Sequence, residues 1–419
     1  METAKPKIHP AWRILIACCL INMSALGMTN CNGLFYPEIT SELGFDLSKL
    51  MIHCIFQGVT SAIVLFKVDW FYRKFPLKAV LAVSFLLYHL PFMAMSMFTE
   101  IWHWCAAAIV AGIGSAFLLY IPVPMLVNNW FIKKKKLALS ICFVASGFSG
   151  ILTSLLLGVL ITRFGWRTSY VIRGVLLLLV ALPAVIMAVK SPQELGVTAY
   201  GAEEAAEETQ KVMGERQYRL TRIEKKKRFL WAVVIAILCN LTGGMVSMLP
   251  HFANTLGYTV VFGSYLTSLA MVGNISSKAA MGPATEKVGI RTSAVIVLAL
   301  MAGGFLLLAS GAQSIPVIFA ASVTTGMSAC ANTLVIPNLL DTFASGDEYV
   351  YMLSRCSTGT MLASAFSVSI SSALYDSFGK YRPVFLIYGI LACVIIAILV
   401  FVYRPIVRKD GPKWNSTKS

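Results

Sequence analysis

The chain has 419 residues, 57% hydrophobic and 13% charged, with a mean hydropathy of +0.74 and a net charge of +16. A water-soluble globule carries roughly twice that share of charged residues, so composition excludes a soluble enzyme or binding module. The positive balance could suggest nucleic acid, but the placement of Lys and Arg between apolar runs follows membrane topology instead.

Apolar segments of the roughly 20 residues needed to cross about 30 Å of hydrocarbon recur twelve times. They are α1 over 12–36, α2 over 47–68, α3 over 76–98, α4 over 101–127, α5 over 137–161 and α6 over 166–189. After a polar stretch come α7 over 229–254, α8 over 260–284, α9 over 291–311, α10 over 315–340, α11 over 348–374 and α12 over 383–403. The first run is too long for the apolar core of a secretory leader and no small-residue cleavage site follows it, so no removable signal is expected. With the N-terminus in the cytoplasm, Lys and Arg concentrate on cytoplasmic segments. The exceptions are Lys49, Arg163, Arg167, Lys380 and Arg382 in outer loops and Arg173 and Lys278 within helices. That bias predicts both termini inside, and the compact loops suit a plasma (inner) membrane protein. Trp12, Trp70, Trp102, Trp104, Trp130, Trp166 and Trp231 fall near helix ends, as an interfacial belt requires. The ten cysteines lie in or beside apolar helices with no Cys-x-x-Cys pair; neither a disulfide framework nor a metal site is indicated, and no cofactor is expected.

Residues 190–228 form the long polar segment, opening "KSPQELG", turning acidic at "EEAAEE" and ending basic at "EKKKRF". A solvated cytoplasmic linker fits it, with a regulatory or partner-binding role as the alternative. It divides the chain into an N-terminal six-helix bundle over 1–189 and a C-terminal one over 229–419 with a short tail. Landmarks repeat across that division: Asp69 and Glu286 are 217 positions apart, and Phe164 of "RFGWR" and Phe378 of "SFGKYR" are 214 apart. Nearly constant spacing indicates a duplicated unit, and two parallel repeats would enclose a cavity whose access alternates as they rock.

The turn between α8 and α9 reads Gly282-x-x-x-Glu286-Lys287-x-Gly289-x-Arg291. Its counterpart after α2, "LFKVDWFYRK", keeps Asp69, Arg73 and Lys74 but has Leu65 and Tyr72 where the second copy has glycines. On these residues the chain resembles the major facilitator superfamily, whose signature Gly-x-x-x-Asp-Arg-x-Gly-Arg-Arg/Lys occurs in both halves. The resemblance implies an all-α polytopic fold of twelve transmembrane helices in two pseudo-symmetric bundles. It also implies that Asp69, Arg73, Lys74, Gly282, Glu286, Lys287, Gly289 and Arg291 form charge clusters that latch one conformation. Loss of two glycines is expected to loosen close helix packing in the first half.

A narrower resemblance rests on "GIGSAFLLYIPVPMLVNNWFIKKKKLALSICFVASGFSGIL" (112–152) followed by "RFGWRTSYVI". It is similar to the oxalate/formate antiporter and monocarboxylate transporter branch. That branch carries a cation on α8 four residues before the signature glycine, typically in Arg-Pro-x-x-Gly; here the position is Lys278, with Ala279 in place of proline. The aspartate that proton-coupled monocarboxylate carriers place one turn earlier is Asn274. The lysine that oxalate-type antiporters use on α11 corresponds to Thr360, with Arg355 the nearest cation. One central charge suits a monocarboxylate better than oxalate.

Read on chemistry alone, an ammonium within an apolar helix either faces a cavity and an anion or stretches to nearby water. Polar stripes at helical spacing occur on α7 (Asn240, Ser247, His251, Asn254), α2 (His53, Gln57, Ser61), α1 (Asn22, Thr29, Asn30) and α5 (Ser146, Ser149, Thr153). Each lines a solute path or packs helix against helix. Tyr120 lies in the Gly/Pro stretch of α4, and Arg173, two turns inside α6, either snorkels outward or meets solute. No Asp or Glu is placed in mid-membrane, which counts against cation efflux and leaves proton coupling to His53, His89, His251 or the substrate's own carboxyl.

The sequence thus predicts a monomeric secondary transporter of a small organic anion, best described as a monocarboxylate carrier, working by antiport against a counter-anion or by proton-linked symport. The expected substrate-binding set is Lys278, Asn274, His251, Asn240, Ser247, Asn30, Tyr120, Gln57, Thr360 and Arg355. The alternatives are a carrier of neutral or hydrophobic solutes and a non-transporting sensor on the same fold. No HExxH, nucleophile motif or phosphate loop appears, so no enzyme is expected.

Overall fold

The computed structural model describes residues 9–402 apart from 30, 120, 203–221, 312, 313 and 345. All twelve expected spans are helical. α1 is Pro10–Thr29, resumed through a 3-10 turn, Asn32–Phe35, as Tyr36–Leu43; α2 is Leu47–Lys74 and α3 is Leu77–Ala94. α4 is Ile101–Leu118, resumed as Pro122–Trp130, and Lys135–Met187 holds α5 and α6, parted at Gly165. α7 is Arg222–Gly243, resumed through Gly244–Met248 as Leu249–Thr255, and Val260–Ala309 holds α8 and α9, parted at Gly289. α10 is Ile315–Gly326, resumed as Ile336–Asp341; α11 is Gly346–Phe378 and α12 is Tyr381–Val402.

Helix is the form that lets each backbone N–H and C=O find its partner within the span, as hydrocarbon demands. The outer surface agrees: Leu152, Leu179, Leu182, Leu386, Ile390 and Phe401 are exposed along α5, α6 and α12. Such a surface is tolerable against lipid and not against water.

The duplication is written in the breaks. α1 and α7 each pass through a 3-10 turn near their far end, and Pro37 and Pro250 open the resumed pieces, where a missing N–H costs nothing. The turns that follow use Gly44 (φ 64°) and Gly257 (φ 81°), 213 positions apart; those after α5 and α11 use Gly165 (φ 73°) and Gly379 (φ 64°), 214 apart. Positive φ is open to glycine at little cost.

The degraded signature after α2 has a different resolution from the one expected. Gly289 (φ 81°) makes the α8–α9 turn, whereas its counterpart Tyr72 is still inside α2, which runs on to Lys74 and turns at Phe75–Pro76. Tyr72 is 1% exposed and its hydroxyl donates to the Phe117 carbonyl at 2.7 Å. α2 is therefore packed against α4 through Tyr72 without the signature glycine. At Gly282, the counterpart of Leu65, an added Cβ would meet nothing within 4 Å, so close approach does not depend on glycine there.

Both described chain ends lie at one face, here the linker face. Residues 190–202 dock there, with the Tyr200 backbone N–H donating to Trp130 O at 2.9 Å and its ring against Trp12; the acidic run at 203–208 lies outside the described residues. The halves are joined toward the opposite face. Ser48 N–H donates to Asp376 Oδ2 (2.7 Å) and Ser369 Oγ to Met51 O (2.9 Å), tying α2 to α11; Ser154 and Ser268 hydroxyls meet at 2.6 Å, tying α5 to α8. α1 meets α7 where Gly33 lies against the Ser247 carbonyl. Within the N-terminal half, Arg167 clamps the same face by pairing with Glu42 at 2.9 Å and donating to Ser96 O at 2.6 Å.

Candidate functional site

α8 runs along the seam between the halves. Ser268 faces Ser154 of α5, Ile275 lies against Gly147, and Lys278, one turn further on, reaches Phe143. The Lys278 Nζ sits 5.7 Å from the Phe143 ring centroid. Among the described residues it makes no hydrogen bond or ion pair. Asn274, one turn before it, is 5% exposed; among the described residues its amide nitrogen reaches the Met271 sulfur at 4.0 Å and its carbonyl oxygen has no partner. α8 thus presents an uncompensated cation and an unpaired acceptor at successive turns. A carboxylate with a neighbouring donor group would satisfy both.

None of the other expected residues that the structure describes makes a hydrogen bond to Lys278 or Asn274. His251 is 8% exposed and hydrogen-bonded at 2.8 Å to the Tyr381 hydroxyl of α12, with Tyr375 against its ring. Asn240 and Ser247 are half-buried and Asn254 is exposed. The α7 stripe fails as a stripe because the 3-10 turn Gly244–Met248 advances each residue by about 120° where an α-helix advances about 100°, turning the residues beyond it onto another face. Gln57 is half-buried, and the Tyr88 hydroxyl of α3 is 3.3 Å from Thr29 Oγ1. Thr360 donates to Ser357 O at 2.7 Å, and Arg355 is exposed and stacks on Tyr351. Asn30 and Tyr120 lie outside the described residues.

Several polar positions resolve to packing. Asn22 donates to Cys142 O at 3.0 Å and Ser149 to Met23 O at 2.9 Å, so the α1 and α5 stripes pin those helices to each other. His53 bonds the Leu50 carbonyl and lies edge-on to Trp104. His89 approaches Ser24 Oγ at 3.1 Å; because Ser24 donates its own proton to Leu177 O, His89 must donate from Nε2. At the linker face Lys74 stacks on Trp70 and Phe75, Arg291 donates to Val400 O, and Gly282, Glu286 and Lys287 are exposed; Arg73 is exposed and Asp69 is helical.

The outward snorkel open to Arg173 is contradicted. Arg173 is 2% exposed, donates from Nη1 to Asn32 Oδ1 at 2.6 Å, and packs on Tyr170, Phe35 and Phe92. No sequence signal marks the inward choice, since Asn32 becomes its neighbour only through the break in α1.

The Major Facilitator Superfamily pattern matches residues 17–279 and 249–419. The chain is 21% identical over 300 residues, 70% of its length and 60% of the other's, to "Probable transporter MCH2" of Saccharomyces cerevisiae. It is 26% identical over 165 residues, 39% of its length and 34% of the other's, to "Monocarboxylate transporter 12" of Mus musculus. The matches thus span less than two thirds of these relatives. Among solved structures, a mutant of the nucleoside transporter NupG superposes with a TM-score of 0.74 at 10% identity, covering 94% of this chain and all of that one. A D-xylose–proton symporter gives 0.68 at 16% identity over 95% and 98%. At such identities these likenesses show the fold.

Proposed function

The chain belongs to the Major Facilitator Superfamily, and from that premise we propose that it carries a small organic anion, a monocarboxylate, across the plasma membrane by alternating access. Lys278 supplies the attracting charge, Asn274 the accepting carbonyl, and both termini are cytoplasmic. Exchange against a second anion and proton-linked symport both fit, exchange better, because Asn274 has no proton to give.

One observation carries this reading. A lone ammonium within an apolar span costs about 2.5–3.5 kcal/mol, and Lys278 meets that cost at the seam between the halves with no counter-charge among the described residues. A charge-assisted hydrogen bond of about 1.5–3 kcal/mol to a carboxylate offsets much of it. Relatives named as monocarboxylate transporters support the substrate class.

A thermal-shift screen of the purified protein tests it. Ligand at about 100 times its dissociation constant stabilises by about 2.7 kcal/mol, so short monocarboxylates should raise the melting temperature while their amides do not. Equal stabilisation by acid and amide would instead favour a carrier of neutral solutes.

A further inference from the structure

A second cation within a span, Arg173, is buried where Lys278 is half-buried. Arg173 uses Nη1 on Asn32, and the guanidinium lies 4.6, 4.8 and 5.5 Å from the rings of Tyr170, Phe35 and Phe92. Anchor and rings together fix its plane. Among the described residues, Nε and Nη2 are left without a hydrogen-bond partner. Those two are the donors on one edge of the guanidinium, the edge that grips a carboxylate through two parallel hydrogen bonds. Among the described residues no Asp or Glu pairs with it, and it is 2% exposed. A buried charge with two idle donors is a costly arrangement unless something anionic completes it.

The surroundings indicate what that is. Arg173 lines a space of about 200 Å³ between α1, α5 and α6, walled by Met23, Thr153, Leu157 and Leu177 and, on its outer side, by Leu152, Leu156 and Leu176, which are exposed on the apolar surface. Access follows from the seam: Asn32 adjoins Gly33, which lies against Ser247 where α1 meets α7, so parting of the halves at the opposite face uncovers the anchor of the fork. We propose that the Nε–Nη2 edge of Arg173 is a second carboxylate-binding site, within the N-terminal half, for acids with a short apolar body. It shares with the preceding reading only the class of ligand.

The test uses full-length protein with Lys278→Ala, so that failure of the Lys278 reading leaves it intact. Thermal stability is titrated with butyrate and with uncharged butyramide. Butyrate should raise the melting temperature of the Lys278→Ala protein and butyramide should not. Adding Arg173→Gln, which removes the fork, should raise the butyrate concentration for half the effect by roughly tenfold or more. If Arg173→Gln does not fold, Arg173→Lys carries the same test, since a point charge cannot reproduce the fork. No butyrate response in Lys278→Ala, or a response that Arg173 substitution leaves unchanged, overturns the proposal. A response present in the otherwise native chain and lost in Lys278→Ala alone would sink the fork and leave the Lys278 reading standing.

Discussion

Gly33 controls how closely α1 and α7 approach, and adding one methyl group there should unseat the closed face. A Cβ at position 33 would lie 1.9 Å from the Ser247 carbonyl oxygen, where ordinary contact begins at 3.4 Å. Backbone cannot rotate away as a side chain can, so the helices must separate by about 1.5 Å. Overpacking of this kind costs about 1–3 kcal/mol, and the cost falls only on the conformation in which the two helices touch. The equilibrium should therefore move about 5- to 150-fold toward the form parted at that face. Hydrogen exchange of purified protein reads this directly: in Gly33→Ala, segments around 31–36 and 244–250 should exchange faster. Gly303→Ala, where a Cβ meets nothing within 4 Å, is the control and should leave both segments unchanged. Exchange in Gly33→Ala indistinguishable from the control would refute the claim that this contact seals the face.

Restoring the signature glycine by Tyr72→Gly should lower stability, by at least the roughly 3–5 kcal/mol typical of deleting a buried aromatic, because it removes the hydroxyl bond to Phe117 and adds a glycine to a helix; a melting temperature equal to or above the native one would contradict this. Glu42 gives a pH signature. Burial alone would raise its carboxyl, but hydrogen bonds from Arg167 and Trp166 and the Arg167 charge leave it below the usual value. Its contribution is therefore full above the unfolded carboxyl range near about pH 4.3 and is lost as pH falls through the lower folded value. Glu42 and Arg167 are 49% and 34% exposed, so solvent screening holds the effect to below about 1 kcal/mol. Native protein should lose slightly more thermal stability than Glu42→Gln between about pH 5 and pH 3; parallel curves would remove the clamp.

The twelve spans were legible because apolar length is a strong signal and hydrocarbon leaves the backbone few choices. The duplication was legible from spacing, and Gly165 with Gly379 supplies its physical basis. Other features depend on three dimensions. The α7 stripe looked continuous because a 3-10 turn leaves no mark on helical spacing, although Gly243-Gly244 and Pro250 were there to suggest a break. Tyr72 looked like a defect because its burial against α4 could not be read from α2. Arg173 had two directions open to it, and only the fold, by bringing Asn32 alongside, decides between them.

The central claim is that Lys278 holds the charge of a transported carboxylate. Uptake of radiolabelled lactate into proteoliposomes, native against Lys278→Ala, tests it most directly. Loss of one charge-assisted contact predicts a drop of roughly tenfold or more in transport efficiency, with lactamide handled alike by both proteins. Lactate uptake of the same rate and half-saturation in the two proteins would contradict it.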